Sequence, residues 1–143
     1  MSKKAFIIAI LLGIFTTVKA QDPASMKAFV ERFYKEWHDI DYTLEHDYLK
    51  QNATPNLLQY LADSYDYDCE GECWATWLFF YEGGGDVGTL ESRQVEIRDD
   101  QHVLVKNKYD NYIYDVLLKL VWDGDQYKID GLQKEKSEYI SEN

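Results

Sequence analysis

The 143-residue chain carries a net charge of −11, with 26 acidic against 15 basic side chains, and 15% of its residues are aromatic. A surface this negative repels nucleic acid and anionic lipid, which excludes nucleic-acid binding. The charge favours a cationic partner, or it serves only to keep the protein soluble. The length is that of one domain with a sizeable core.

The N-terminal 20 residues have the pattern of a cleaved signal peptide. Lys3 and Lys4 precede an apolar run over residues 5–18, and the small residue Ala20 suits the cleavage point. The apolar run is shorter than the roughly 20 residues that a membrane-spanning helix needs. We therefore expect a periplasmic or secreted domain comprising residues 21–143, with no membrane span after cleavage. Loss of the three lysines in the signal peptide takes the net charge to −14.

Three helices are predicted in the first part of the mature chain. Asp22-Pro23 starts the first helix with a capping residue followed by proline, and Thr54-Pro55 starts the third in the same way. A weaker pattern predicts the second helix over residues 42–51. The residues expected to face inward, by their helical spacing, are Met26, Phe29, Val30, Phe33, Trp37, Leu44, Tyr48, Leu49, Leu57, Leu58 and Leu61.

Two cysteines, Cys69 and Cys73, follow the third helix and are the only ones in the chain. In an exported protein such a pair favours a disulfide, and Gly71 between them eases the bend. Zinc needs further ligands, and a redox C-x-x-C motif needs two intervening residues instead of three, so neither is favoured. No catalytic residue, cofactor or metal ion is assigned.

Acidic and aromatic residues surround the cysteines. Residues 51–92 contain eight carboxylates and neither lysine nor arginine, which predicts a negative face. Part of this segment imitates an EF-hand loop, but Trp77 stands where the bidentate glutamate is required. A looser calcium site from the four nearby carboxylates stays open, beside a solvated acidic turn. The predicted partner-binding residues are Tyr65, Asp66, Tyr67, Asp68, Glu70 and Glu72. Tyr60 and Tyr81 are expected to be partly exposed nearby.

Strand patterns occupy the rest of the chain. The aromatic segment 74–82, WATWLFFYE, predicts a strand that ends at a flexible glycine connection, residues 83–85. Further strands are predicted over residues 87–97, 102–108, 112–122 and 127–132, with a DG hairpin turn before the last and fraying from Gln133. Helices followed by an antiparallel meander predict an α+β domain, with N-terminal helices packed on a curved antiparallel sheet of about four strands.

Three segments carry a family resemblance: residues 29–37 (FVERFYKEW), 54–61 (TPNLLQYL) and 114–132 (YDVLLKLVWDGDQYKIDGL). Their order resembles the nuclear transport factor 2-like, cystatin-like α+β superfamily, in particular its secreted bacterial domains of unknown function. The resemblance implies a cone-shaped fold and frequently a homodimer. It implies little about activity, because this fold hosts isomerases, dehydratases, transport adaptors and binding modules.

The favoured hypothesis is an exported, non-enzymatic binding domain whose acidic and aromatic face or pocket meets a cationic or protein partner or a small ligand. An immunity-type inhibitor of a toxin is one version. One alternative is an isomerase or dehydratase working in the cone, for which Asp115 and Asp130 are the first candidates. Another is a glycan- or calcium-binding module. The four tryptophans are expected to fill the core: Trp37, Trp74, Trp77 and Trp122.

Overall fold

The computed structural model describes residues 22–82 and 86–140. The predicted signal peptide and the glycine connection lie outside these residues. Three helices come first and four strands follow. The elements are α1 (Pro23–Asp39), α2 (Glu45–Asn52), α3 (Pro55–Asp63), β1 (Leu90–Ile97), β2 (His102–Tyr109), β3 (Tyr112–Trp122) and β4 (Tyr127–Tyr139), with short 3₁₀ turns at Tyr42–Leu44 and Thr76–Phe79.

The four strands form one antiparallel sheet in the order β1-β2-β3-β4, with the helices packed on one face, so the predicted α+β class is confirmed. Side chains of β3 alternate between buried and half-buried positions, as a strand with one covered face requires. The pairing of β3 with β4 shifts register twice, after Asp115 and after Lys119. Each irregularity bends the strand pair and increases its twist.

Both predicted capping residues start their helices. The Asp22 carboxylate accepts a hydrogen bond from the Ala24 N–H at 3.0 Å, and the Thr54 hydroxyl accepts one from the Leu57 N–H at 3.3 Å. Each satisfies a backbone donor that has no partner within the helix. Thr54 also joins α3 to the sheet, because its N–H donates to the Ile129 carbonyl at 3.0 Å.

An aromatic cluster fills the space between α1 and the sheet. Phe33 lies at its centre, with a side chain that is 1% exposed. Five other rings surround it at centroid distances of 5.2–6.5 Å: Phe29, Tyr34, Trp37, Tyr48 and Phe79. The predicted apolar stripe of α1 is therefore confirmed, and it belongs to one hydrophobic cluster with the fully buried Tyr114, Val116 and Leu118 of β3.

The prediction of a strand over residues 74–82 is wrong. This segment forms the 3₁₀ turn Thr76–Phe79 and packs beneath α1. Three tyrosine hydroxyls donate to three successive carbonyls of the segment, at 2.6–2.9 Å: Tyr114 to Leu78, Tyr34 to Phe79 and Tyr109 to Phe80. Because distant side chains satisfy these carbonyls, the segment needs no neighbouring strand.

Three smaller predictions are also wrong. Strand β4 continues to Tyr139 instead of fraying at Gln133, because β3 pairs with it along the whole length. Leu44 is 53% exposed, since it ends a 3₁₀ turn ahead of α2 and does not belong to the inner face of that helix. Trp122 is 38% exposed at the end of β3, where its ring makes an edge-to-face contact with Tyr127.

Within residues 22–82 and 86–140, no helix is long and apolar enough to cross a bilayer.

Candidate functional site

The predicted partner-binding residues lie in one loop, residues 65–77, which we call the acidic–aromatic loop. Backbone hydrogen bonds hold both of its ends against α3. The Tyr65 N–H donates to the Ala62 carbonyl at 3.2 Å, and the Ala75 N–H donates to the Leu61 carbonyl at 2.9 Å. The loop is therefore anchored at its ends, while most of the residues between them are exposed.

Cys69 and Cys73 lie within this loop. Their sulfur atoms are at bonding distance, 1.93 Å, and their Cα atoms are 6.1 Å apart. Gly71 lies midway between them with φ of 94°, a conformation that side chains disfavour. The predicted pairing therefore has the geometry of a disulfide, and it closes a small ring that includes Glu70 and Glu72.

Three aromatic rings form a surface cluster in the loop. Tyr65, Tyr67 and Trp77 contact each other pairwise, with centroids 5.6–5.8 Å apart. Tyr67 is 64% exposed, whereas Tyr65 and Trp77 are half-buried. Trp77 is thus only partly a core residue, and its half-buried ring contacts the exposed ring of Tyr67.

A groove of about 620 Å³ separates the loop from α2 and α3, and we call it the loop groove. Helix residues, among them Lys50 and Leu58, line one side of it. The loop lines the other side with the disulfide and with aromatic side chains. The loop residues in contact with the groove are Tyr65, Tyr67, Cys69, Gly71, Glu72, Cys73 and Trp74.

The carboxylates of the loop fall into two groups. Glu72 points towards α2, where its Oε1 lies 3.3 Å from Lys50 Nζ and 3.4 Å from His46 Nδ1. Asp66, Asp68 and Glu70 are exposed, and no ion pair joins them to any other described residue. The second group therefore adds negative charge to the exposed part of the loop that contains Tyr67.

Trp74 joins the loop to α2 from the groove side. It is 8% exposed, in keeping with the prediction that it fills the core. The imidazole of His46 stacks on its ring with centroids 4.2 Å apart, and Lys50 Nζ lies 5.8 Å from its centroid. His46 and Lys50 are four residues apart on α2 and so share one face of that helix.

The loop carboxylates do not assemble a metal site. Among residues 22–82 and 86–140, no three His, Cys, Asp or Glu side chains lie close enough to hold an ion. Glu72 interacts with α2, whereas the other three carboxylates extend separately into solvent. The looser calcium site considered from the sequence is therefore not formed in this conformation.

Asp115 and Asp130, the first candidates for an enzyme, are not neighbours in one pocket. Asp130 accepts a hydrogen bond from the Thr54 hydroxyl at 2.7 Å and lies 3.8 Å from Lys119 Nζ, so it helps to hold α3 on β4. Asp115 lies on the sheet face away from the helices, where burial raises the pKa of its carboxyl although Lys106 opposes the effect.

Sequence reasoning identified the loop but missed the helix side of the groove. His46, Lys50 and Leu58 were not proposed as site residues. The i, i+4 spacing of His46 and Lys50 indicates a shared helix face, yet nothing in the local pattern tells which element this face meets. Tyr60 is 46% exposed and Tyr81 is half-buried against the core, so both are partly exposed as expected.

Comparison of the chain with known protein families, with curated proteins and with solved structures finds no match. The chemistry of the site is therefore the basis for inferring function.

Proposed function

We propose that the protein is an exported, non-enzymatic binding domain of the nuclear transport factor 2-like type, in which the acidic–aromatic loop binds a cationic segment of a protein partner. One observation carries the proposal. Asp66, Asp68 and Glu70 are exposed, form no ion pair with a described residue and lie within three positions of the exposed Tyr67, whose ring lines the loop groove.

This arrangement suits lysine and arginine side chains for two reasons. Unneutralised carboxylates attract cations over several ångströms and accelerate the encounter with a basic surface. An aromatic ring face adds a further attraction for an ammonium or guanidinium group. This attraction favours lysine and arginine side chains over simple inorganic cations. An inhibitor that covers the basic active site of a toxin is one version of this function.

The other candidate functions have less support. An isomerase or dehydratase needs convergent polar groups in a pocket, and Asp115 and Asp130 lie on different parts of the sheet. A calcium-binding module needs several oxygen ligands around one point, which the loop carboxylates do not provide. Export itself is supported by the paired cysteines, because disulfides persist in oxidising compartments.

The test uses a fluorescent hexa-arginine peptide as the probe and measures its binding by anisotropy. Wild-type protein should bind it, and the affinity should fall between about 50 mM and about 300 mM salt. The triple variant Asp66→Asn, Asp68→Asn, Glu70→Gln should bind about tenfold more weakly, since each exposed charge contributes about 0.5 kcal/mol.

A matched control distinguishes the effect of the loop carboxylates on peptide binding from the effect of the net charge of the protein. Asp100, Asp125 and Glu135 are exposed, lie outside the loop and form no ion pair with a described residue. Changing them to Asn, Asn and Gln alters the net charge by the same amount and should leave the affinity within about twofold. Equal losses in the two triple variants, or no binding by the wild-type protein, would refute the proposal.

A further inference from the structure

One carboxylate of the loop already interacts with a cation of the chain itself. Glu72 Oε1 lies 3.3 Å from Lys50 Nζ, and the same ammonium lies 5.8 Å from the centre of the Trp74 ring. A carboxylate and an aromatic ring beside one ammonium form the combination that binds basic side chains in protein interfaces. Lys50, Glu72 and Trp74 all line the loop groove. His46 completes the group, because its ring stacks on Trp74 with centroids 4.2 Å apart and its Nδ1 lies 3.4 Å from the same Glu72 oxygen.

The position of Glu72 is held by the covalent structure around it. It lies inside the ring closed by Cys69 and Cys73, next to the residue whose sulfur closes that ring. Trp74 follows directly and is buried, which holds the backbone on the other side of Cys73. Because the backbone of Glu72 is held in this way, only the freedom of its side chain is lost when the carboxylate binds a ligand.

The Lys50 side chain, in contrast, is not held. Its side chain is 53% exposed and that of Glu72 is 52% exposed, so both charges keep much of their hydration. Ion pairs of this exposure contribute between nothing and about 1 kcal/mol. Another cation can therefore replace Lys50 at low cost, while the long flexible lysine stem lets the ammonium move into solvent.

We propose that Glu72 and Trp74 form a cation subsite which Lys50 occupies in the free protein, and that an arginine side chain of the protein partner replaces Lys50 there. This inference rests on the proposed function and adds a second point of recognition to it. Arginine suits the subsite better than lysine, because its planar guanidinium is more weakly hydrated, can donate two hydrogen bonds to one carboxylate and packs against an aromatic ring.

Lys50 therefore acts as an internal competitor, and its removal should tighten binding. Lys50→Met keeps most of the apolar stem and removes the charge. We expect this variant to bind the hexa-arginine peptide about three- to fivefold more tightly than wild type. Lys50→Arg keeps the competing cation and should not tighten binding.

Lys35 provides the matched control. It is exposed on α1 and forms no ion pair with a described residue, so Lys35→Met changes the net charge equally at a site away from the groove. Its affinity should stay within about twofold of wild type. An equal gain in Lys35→Met and Lys50→Met would overturn the subsite, because it would show that only net charge matters.

A double-mutant cycle separates direct competition from simple repulsion. If Lys50 occupies Glu72, Glu72→Gln should weaken binding little in the wild-type background and should abolish the gain in the Lys50→Met background. If Lys50 merely repels the peptide, Glu72→Gln should have the same effect in both backgrounds, which would overturn the inference. Melting curves verify that each variant is folded, and Lys50→Gln, which also removes the competing charge, takes the place of Lys50→Met in the cycle if that variant does not fold.

The two proposals fail in different ways. Additive effects of Lys50 and Glu72, together with a selective loss in the Asp66, Asp68 and Glu70 variant, would remove the subsite and leave the proposed function standing. Absence of peptide binding by every variant would refute both.

Discussion

Two regions of the molecule use aromatic residues in opposite ways. In the interior, Tyr34, Tyr109 and Tyr114 donate their hydroxyl hydrogens to backbone carbonyls at 2.6–2.9 Å. In the acidic–aromatic loop, Tyr65 and Tyr67 contact Trp77 and lie beside exposed carboxylates. A tyrosine stabilises the fold where its hydroxyl has a buried backbone partner, and it is available for recognition where its ring remains at the surface.

The largest expected difference between the two regions is in the free energy of unfolding that is lost when an aromatic ring is removed. Phe33→Ala removes the ring at the centre of the interior cluster and should lower the free energy of unfolding by about 3–5 kcal/mol. Tyr67→Ala removes an exposed ring and should lower it by at most about 0.5 kcal/mol. Urea unfolding monitored by circular dichroism compares them, and similar losses in both variants would contradict the distinction.

High pH should destabilise the fold through the interior tyrosines. Burial raises the pKa of Tyr34, Tyr48 and Tyr114 above the ordinary value of 10.0, so the folded state holds these protons more tightly than the unfolded chain does. The contribution of these tyrosines to the free energy of unfolding is therefore fully present below about pH 10, and it falls as the pH rises above that value.

Urea midpoints at about pH 8 and about pH 10.5 measure this loss. Tyr114→Phe removes one of these ionisable groups, and its midpoint should fall by less than that of wild type over the same range. A wild-type midpoint that is constant up to pH 10.5 would contradict the pKa directions.

The loss of a single interior hydroxyl should have a smaller effect. Tyr114→Phe keeps the ring but leaves the Leu78 carbonyl without its donor, which should cost about 1–3 kcal/mol. The same change at Tyr65, in the loop, should cost at most about 0.5 kcal/mol. Unfolding free energies at neutral pH test the pair, and the comparison fails if Tyr65→Phe is the more damaging substitution.

The disulfide should stabilise the fold less than the interior Phe33 ring does. Replacing Cys69 and Cys73 by serine opens a ring of only five residues, so the loss should be at most about 2 kcal/mol. Because the ring holds Glu72, the same variant in the Lys50→Met background should lose part of the gain in peptide affinity. Full retention of that gain would show that the subsite does not depend on the disulfide.

The parts of the fold that local patterns encode were predictable. Asp22-Pro23 and Thr54-Pro55 mark helix starts because the capping groups belong to the helices themselves. The alternation of β3 predicts its buried face, from Tyr112 to Leu120, because the period of a strand is independent of its partners. The acidic–aromatic loop was predictable as a charged segment, since its carboxylates are adjacent in the sequence.

The segment at residues 74–82 shows why other parts were not. Its aromatic composition is typical of a strand, yet its carbonyls accept hydrogen bonds from tyrosines that are 29–45 positions away in the chain. The extension of β4 has a similar cause, because its polar second half is extended only through pairing with β3. Local propensity does not include partners at such separations.

The sequence alone therefore determined the class of the fold, the helix starts, the buried face of β3 and the position of the acidic–aromatic loop. The tertiary structure decided which aromatic residues stay at the surface and which cation meets Glu72. The physical reason is that the burial and hydrogen bonding of a side chain depend on which element packs against it. Helix α2 brings His46 and Lys50 to the loop groove, and no pattern within the α2 sequence indicates that the loop lies next to it.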